Sequence, residues 1–156
     1  MQRFFAVLTF FGVMAGTTAV AAPFTYTNEH FGTICTFPDE IFTLRQPEPD
    51  NGDGQQWLTA DGASLICSGI LNIDDDTPTA FVSAERASKE PGYRITYSKT
   101  GKDWAVLSGI KGGNIFYERR LGKDGVIRTV WIDYPPALKS KYDPLVDAIA
   151  GSLRGP

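Results

Sequence analysis

The sequence predicts an α+β fold, an antiparallel β-sheet of about seven to eight strands flanked by two helices. Three observations predict it. Apolar and polar residues alternate through most of the chain after residue 22, the period of a strand with one buried face. Short breaks rich in Gly, Asn and Asp separate these runs, as hairpin turns do. Only two stretches, one after Thr77 and one after Leu138, change to helical spacing.

The first residues read as a secretory signal peptide. Arg3 precedes the apolar run FFAVLTFFGVMAG and the small-residue stretch TTAVAA. Ala19-Val20-Ala21 satisfies the small-x-small rule, so cleavage is expected after Ala21. The apolar run is shorter than the roughly 20 residues that span a bilayer, which disfavours an uncleaved anchor. Removing 21 of the 156 residues leaves 135, the size of one domain, so residues 22-156 are expected to form a single unit in the periplasm or outside the cell. Only Arg3 is charged in the leader, which leaves 14 basic against 18 acidic residues and a net charge of −4. An acidic chain without a basic stripe is a poor match for nucleic acid. No later segment is apolar enough to be embedded in a membrane.

Phe24 to Asn28 and Phe31 to Phe37 form a hairpin around Glu29-His30, with Phe31, Thr33, Cys35 and Phe37 on one face, and Pro38 ends the second strand. The stretch RQPEPDNGDGQ, Arg45 to Gln55, has almost no apolar residue and reads as a surface loop. Trp57 to Ala60 and Ser64 to Leu71 form the next hairpin, with Asp61-Gly62 as its turn. Thr77 caps a helix with Pro78 at its first position and Asp74-Asp75-Asp76 beside its positive end; Phe81, Ala84, Ala87 and Ser88 mark its face and Pro91-Gly92 its end. A meander follows, Tyr93 to Ser98, Asp103 to Lys111, Asn114 to Leu121 and Val126 to Tyr134. The last helix, Leu138 to Leu153, carries the stripe Tyr142, Leu145, Val146, Ile149 and Leu153, and Pro144 reads as a restart capped by Asp143. Cys35 and Cys67 are the only cysteines and, in an exported chain, are expected to be joined by a disulfide.

The residues that carry chemistry form no recognisable active site, and no catalytic residue, cofactor or metal site is assigned. With Gly54 at the sixth position of an EF-hand loop, Pro49 falls first and Ala60 twelfth, so both terminal ligands are missing; weak calcium binding by Asp50 and Asp53 is all that the loop could offer. His30 is the only histidine, and as a turn residue it needs no catalytic reason. No serine lies in a GxSxG elbow. Ile115, Tyr117, Arg119 and Leu121 face one way and Phe116, Glu118 and Arg120 the other; on the next strand Ile127, Thr129, Trp131 and Asp133 oppose Val126, Arg128, Val130 and Tyr134. Each face mixes aromatic and charged groups. That pattern suits cross-strand ion pairs, or else a surface for a protein or carbohydrate.

YTNEHFGTICTFPDEIF, residues 26-42, resembles the first strands of PsbP-like domains, and YDPLVDAIAGSL, residues 142-153, resembles their closing helix. With NGDG at 51-54 and IFYER at 115-119, nearly the whole chain is similar to a set of uncharacterised exported proteins of alphaproteobacteria. The resemblance implies a binding or assembly accessory and transfers no catalytic residue. The expected function is therefore a non-enzymatic, protein-binding domain. Its candidate surface comprises Arg119, Arg120, Arg128 and Trp131 on an exposed sheet face, together with Asp50, Asp53 and Trp57 at the loop. The alternative is a cell-envelope hydrolase that uses paired carboxylates such as Glu118 and Asp133.

Overall fold

The computed structural model describes residues 22-156; the expected signal peptide lies outside them. The strands are β1 (Phe24–Thr27), β2 (Ile34–Phe37), β3 (Leu44–Arg45), β4 (Gly54–Leu58), β5 (Ser64–Leu71), β6 (Tyr93–Thr100), β7 (Trp104–Lys111), β8 (Asn114–Lys123) and β9 (Val126–Tyr134). Helix α1 spans Pro78–Ala87 and helix α2 spans Lys139–Gly151, entered through a 3₁₀ turn at Pro136–Leu138. Seven strands form one antiparallel sheet in the order β3-β4-β5-β9-β8-β7-β6, and β1 and β2 pair by themselves. This is the α+β arrangement that the alternation predicts, with two helices on the sheet.

Alternation separates the two faces of the large sheet. One packs against α2 and the β1–β2 hairpin, where Phe37, Phe42, Trp57, Leu65, Ile132 and Tyr142 form the main core. Each such side chain contributes on the order of 1.5–3 kcal/mol by leaving water. Phe37 and Trp57 lie 4.6 Å apart between ring centroids, and Tyr134 stacks on Tyr142 at 5.3 Å. The other face carries a smaller core, Phe81 of α1 on Ala105, Leu107 and Phe116.

Local chemistry explains the ends of the elements, including those that differ from expectation. The Thr77 hydroxyl accepts from Ala80 N at 3.1 Å, as expected of the cap. Helix α1 stops at Ala87, before Pro91-Gly92, and turns Phe81, Val82 and Glu85 inward while Ala84 and Ala87 stay exposed. Glu85 is drawn in because Tyr93 donates its hydroxyl to the carboxylate at 2.8 Å. Pro144 does not restart α2. It lies in the second turn, where its missing N–H costs the helix one hydrogen bond, and Asp143 is engaged as an acceptor for Tyr134 Oη at 2.6 Å and for Lys139 Nζ. Strand β4 begins at Gly54, three residues earlier than expected, because the buried Gln55 organises the polar stretch around itself. It accepts from Arg45 Nε at 3.0 Å and donates to the Gln46 carbonyl at 2.7 Å.

A disulfide and an ion-pair cluster help to tie the N-terminal part of the chain to the remainder. Cys35 on β2 and Cys67 on β5 form the expected disulfide, and both are fully buried. At the β4–β5 turn, Asp61 accepts from Lys141 Nζ at 2.5 Å, from Thr59 Oγ1 at 2.6 Å and from Tyr142 Oη at 2.5 Å. These donors, Lys141 foremost, hold its carboxyl far below the usual carboxylate range.

Two outcomes follow. Replacing both cysteines by serine lowers unfolding stability by about 3–4 kcal/mol in denaturant titrations, the loop-closure term for a 32-residue separation; two titratable thiols in the folded, unreduced protein would contradict the bridge. Because the carboxyl of Asp61 is depressed in the folded state, its stabilising effect is present above the ordinary aspartate range and is lost as pH falls from about 4 towards the folded value. Asp61→Asn therefore removes part of the acid-induced loss of stability below about pH 4 in melting curves.

Candidate functional site

Helix α1 covers β6 and β7, so the β9–β5–β4 half of that same sheet face is left half-open. Register aligns Gln56, Ile66, Trp131 and Glu118 in one row across β4, β5, β9 and β8. Rows on either side bring in Ser68 with Thr129 and Arg120, and Ser64 with Asp133 and Phe116. Ile66 and Trp131, the apolar groups at the centre, are both half-buried.

The polar groups around them are fixed by hydrogen bonds. Trp131 Nε1 donates to Asp133 Oδ2 at 2.8 Å, and Asn114 Nδ2 donates to Asp133 Oδ1 at 2.9 Å. The indole lies parallel to Phe116 at 4.6 Å. Gln56 Nε2 donates to Ser64 Oγ at 3.0 Å. Lys111 Nζ sits 5.3 Å from the Tyr93 ring and 5.7 Å from the Trp131 ring, and pairs with Glu90 at 3.5 Å. Toward α1, Glu118 is only 5% exposed and accepts from Arg120 Nε at 2.6 Å, while the Arg120 guanidinium lies 3.6 Å over the Phe81 ring. Burial pushes the Glu118 carboxyl up, against the opposing pull of Arg120.

The Pro-rich loop, residues 46-53, walls the opposite side of the open half. Between loop and sheet is a cavity of about 300 Å³ lined by Pro47, Pro49, Asp53, Gln56, Ile66 and Ser68. The loop is anchored where Asn28 Nδ2 donates to the Gly52 carbonyl at 2.8 Å and Gly69 N donates to the Asp53 carbonyl at 2.8 Å. The two glycines of NGDG are structural. Gly52 adopts φ +66°, and a Cβ on Gly54 would come within 2.4 Å of the Cys67 carbonyl oxygen. Asn51 Nδ2 donates to Asp53 Oδ2 at 2.5 Å, and His30 Nδ1 lies 3.3 Å from the Asn51 carbonyl oxygen and 4.0 Å from Asp53 Oδ1. The single histidine thus serves the loop.

The expected surface is only partly assembled. Trp131 is on the open half, with Asp53 and the exposed Asp50 on the loop beside it. Trp57 is not surface; it is 4% exposed, packed edge-on against Tyr26 in the main core. Arg128 is 3% exposed on the α2 side, where it donates to the Phe31 carbonyl at 3.0 Å and the Lys123 carbonyl at 3.2 Å. Arg119 and Arg120 are adjacent in a strand and therefore face opposite ways. Arg119 lies over the Trp104 ring at 5.2 Å, and Arg120 beneath α1. Gln56, Ile66 and Ser68 were not among the expected site residues, although their pairing through β5 with Trp131 and Thr129 places them there. Asp50 and Asp53 belong to no metal-binding cluster: no group of three His, Cys, Asp or Glu able to hold a metal occurs among the described residues. Of the two carboxylates considered for hydrolysis, Glu118 is sealed beneath Arg120, and both oxygens of Asp133 already accept hydrogen bonds.

Solved structures give the architecture its place. Cyanobacterial PsbP (CyanoP) from Synechocystis sp. PCC 6803 superposes with a TM-score of 0.60 at 11% identity, over 92% of this chain and 98% of that one. The fold is PsbP-like. A Pseudomonas aeruginosa protein of unknown function, described as a candidate regulator, matches at a TM-score of 0.52 and 17% identity, over 87% of this chain and 99% of that one. At such identities the likeness to PsbP is one of fold. The sequence matches no family model and no curated protein.

The raised Glu118 carboxyl has a measurable consequence. In a ¹³C-detected titration Glu118 is expected to lose its proton at higher pH than an ordinary glutamate. Its folded value lies above its unfolded one, so the burial penalty on the charged form grows as pH rises through that value, and stability increases as pH falls toward the unfolded glutamate range. Glu118→Gln abolishes this component; an unshifted Glu118 titration would contradict the burial.

Proposed function

We propose that the mature chain, beginning at Ala22 in the periplasm or outside the cell, is a non-enzymatic accessory domain that holds a protein partner on the open half of its sheet. The observation that carries this reading is the pair Ile66 and Trp131, half-uncovered in the middle of a sheet face and ringed by Gln56, Ser68, Thr129 and Asp133. An aromatic and an aliphatic group inside a polar rim is the anatomy of a protein-binding patch, where a few central residues supply most of the affinity. A buried disulfide suits an oxidising compartment, and a PsbP-like fold is compatible with accessory binding. Of the loop acids in the expected surface, Asp53 borders this patch and Asp50 lies beside it; Trp57 and Arg128 support it only from within the core.

The test is a photo-crosslinking residue placed at Ser68, expressed in the source cells. A single recurrent protein adduct is expected, and Thr129→Arg, which inserts a bulky charge next to the patch, should reduce it at least about tenfold, the loss of roughly 1.4 kcal/mol. Folded, exported protein that yields no adduct from Ser68, or an adduct indifferent to Thr129→Arg, would overturn the reading.

A further inference from the structure

The charges around the open half are not balanced. Lys111 is taken by Glu90 at 3.5 Å and Arg120 by Glu118 at 2.6 Å, so both cations near Trp131 already have carboxylate partners. The acids are less satisfied. Asp133 is held by two neutral donors, Trp131 and Asn114. Asp53 is held by Asn51, with His30 no nearer than 4.0 Å. Glu48 and Asp50 stand exposed on the same loop. The open half thus has an apolar centre between two carboxylates that lack a close, permanent cation.

From this complementarity we infer that the occupant is an extended, basic segment of the partner protein, with one Lys or Arg side chain entering the cavity at Asp53 and the side chain two positions along, an apolar one, lying on Ile66 and Trp131. In an extended chain residues i and i+2 share a face and are about 7 Å apart. Ile66 lines the cavity and is also paired with Trp131 on the adjoining strand, so the two subsites are contiguous. Inside the cavity the ammonium or guanidinium group would meet Asp53 together with the neutral acceptors of Gln56 and Ser68, and Pro47 and Pro49 would flank its aliphatic stem. A second basic residue on the far side of the apolar one would reach Asp133. An acidic segment would instead bring like charges together at Asp53 and Asp133, which repel it. This inference rests on the protein-binding reading of the same face and adds the chemistry of what is bound.

The experiment uses the mature protein labelled with ¹⁵N and three nine-residue peptides of Ser and Thr that carry Lys-Thr-Leu, Glu-Thr-Leu or Ser-Thr-Leu at their centre. The lysine peptide is expected to shift the amides of Gln56, Ile66, Ser68 and Trp131, and the glutamate peptide to leave them unmoved. In Asp53→Asn with Asp133→Asn the affinity should fall about tenfold or more, and added salt should weaken the wild-type interaction. A melting curve establishes that the double variant is folded; Asp53→Asn alone, in the exposed loop, serves if it is not. Equal binding of the glutamate peptide, shifts confined to the α2 side, or an affinity untouched by Asp53→Asn would overturn the inference. If the Ser68 crosslink succeeds while the lysine peptide does not bind, the basic-segment assignment fails and the protein-binding surface stands. If both fail, both are lost.

Discussion

The structure depends on the register in which β5 lies against β9. These strands lie side by side in space but far apart in sequence, and their pairing joins β3, β4 and β5 to the C-terminal meander in one sheet. It also decides which face every residue occupies. Leu65 opposite Ile132 faces the α2 core, and Ile66 opposite Trp131 faces the other way. A slip of β5 by one residue against β9 would turn Leu65 and Cys67 toward the open half and send Ile66 into the core. The disulfide reinforces this arrangement. Cys67 can reach Cys35 only in the register that points it at the β1–β2 hairpin.

The unequal covering of the sheet follows from that arrangement. Helix α2 and the hairpin together cover one face, with Asp61 joined to Lys141 and Tyr142 so that the β4–β5 turn is bonded to α2. On the opposite face α1 is ten residues long and buries Phe81 alone. It covers β6 and β7, and Arg120 carries its contact onto β8 through Phe81 and Glu118. The remaining half is bounded by the Pro-rich loop, whose Asn28 anchor and left-handed Gly52 hold it clear of the strands and so form the cavity.

Much of this was legible in the sequence. Alternation yields the meander, Thr77-Pro78 the start of α1, Asp61-Gly62 the turn, and two cysteines behind an expected signal peptide the bridge. The candidate surface was less so, for two physical reasons. Alternation separates Arg119 from Arg120 and puts Arg128 with Val130 and Tyr134, yet the expectation that charge means exposure overrode it; a buried arginine whose two terminal nitrogens donate to carbonyls carries no separate sequence signal. Trp57 follows a polar loop, and nothing local tells that Gln55 is buried and draws the strand back to Gly54. The openness of the β4–β5–β9 half depends on where a short helix lands across the sheet, a tertiary fact that the sequence of α1 does not state.

The most direct measurement of the central claim is residue-resolved oxidative footprinting of the tryptophans, on the free protein and on the same protein in an extract of its native compartment. The account predicts that Trp131 is modified in the free protein and protected in the extract, that Trp57 is protected in both, and that Trp104, away from the patch, is unchanged between them. Protection of Trp131 in the free protein, or equal modification of Trp131 in both samples, would contradict it.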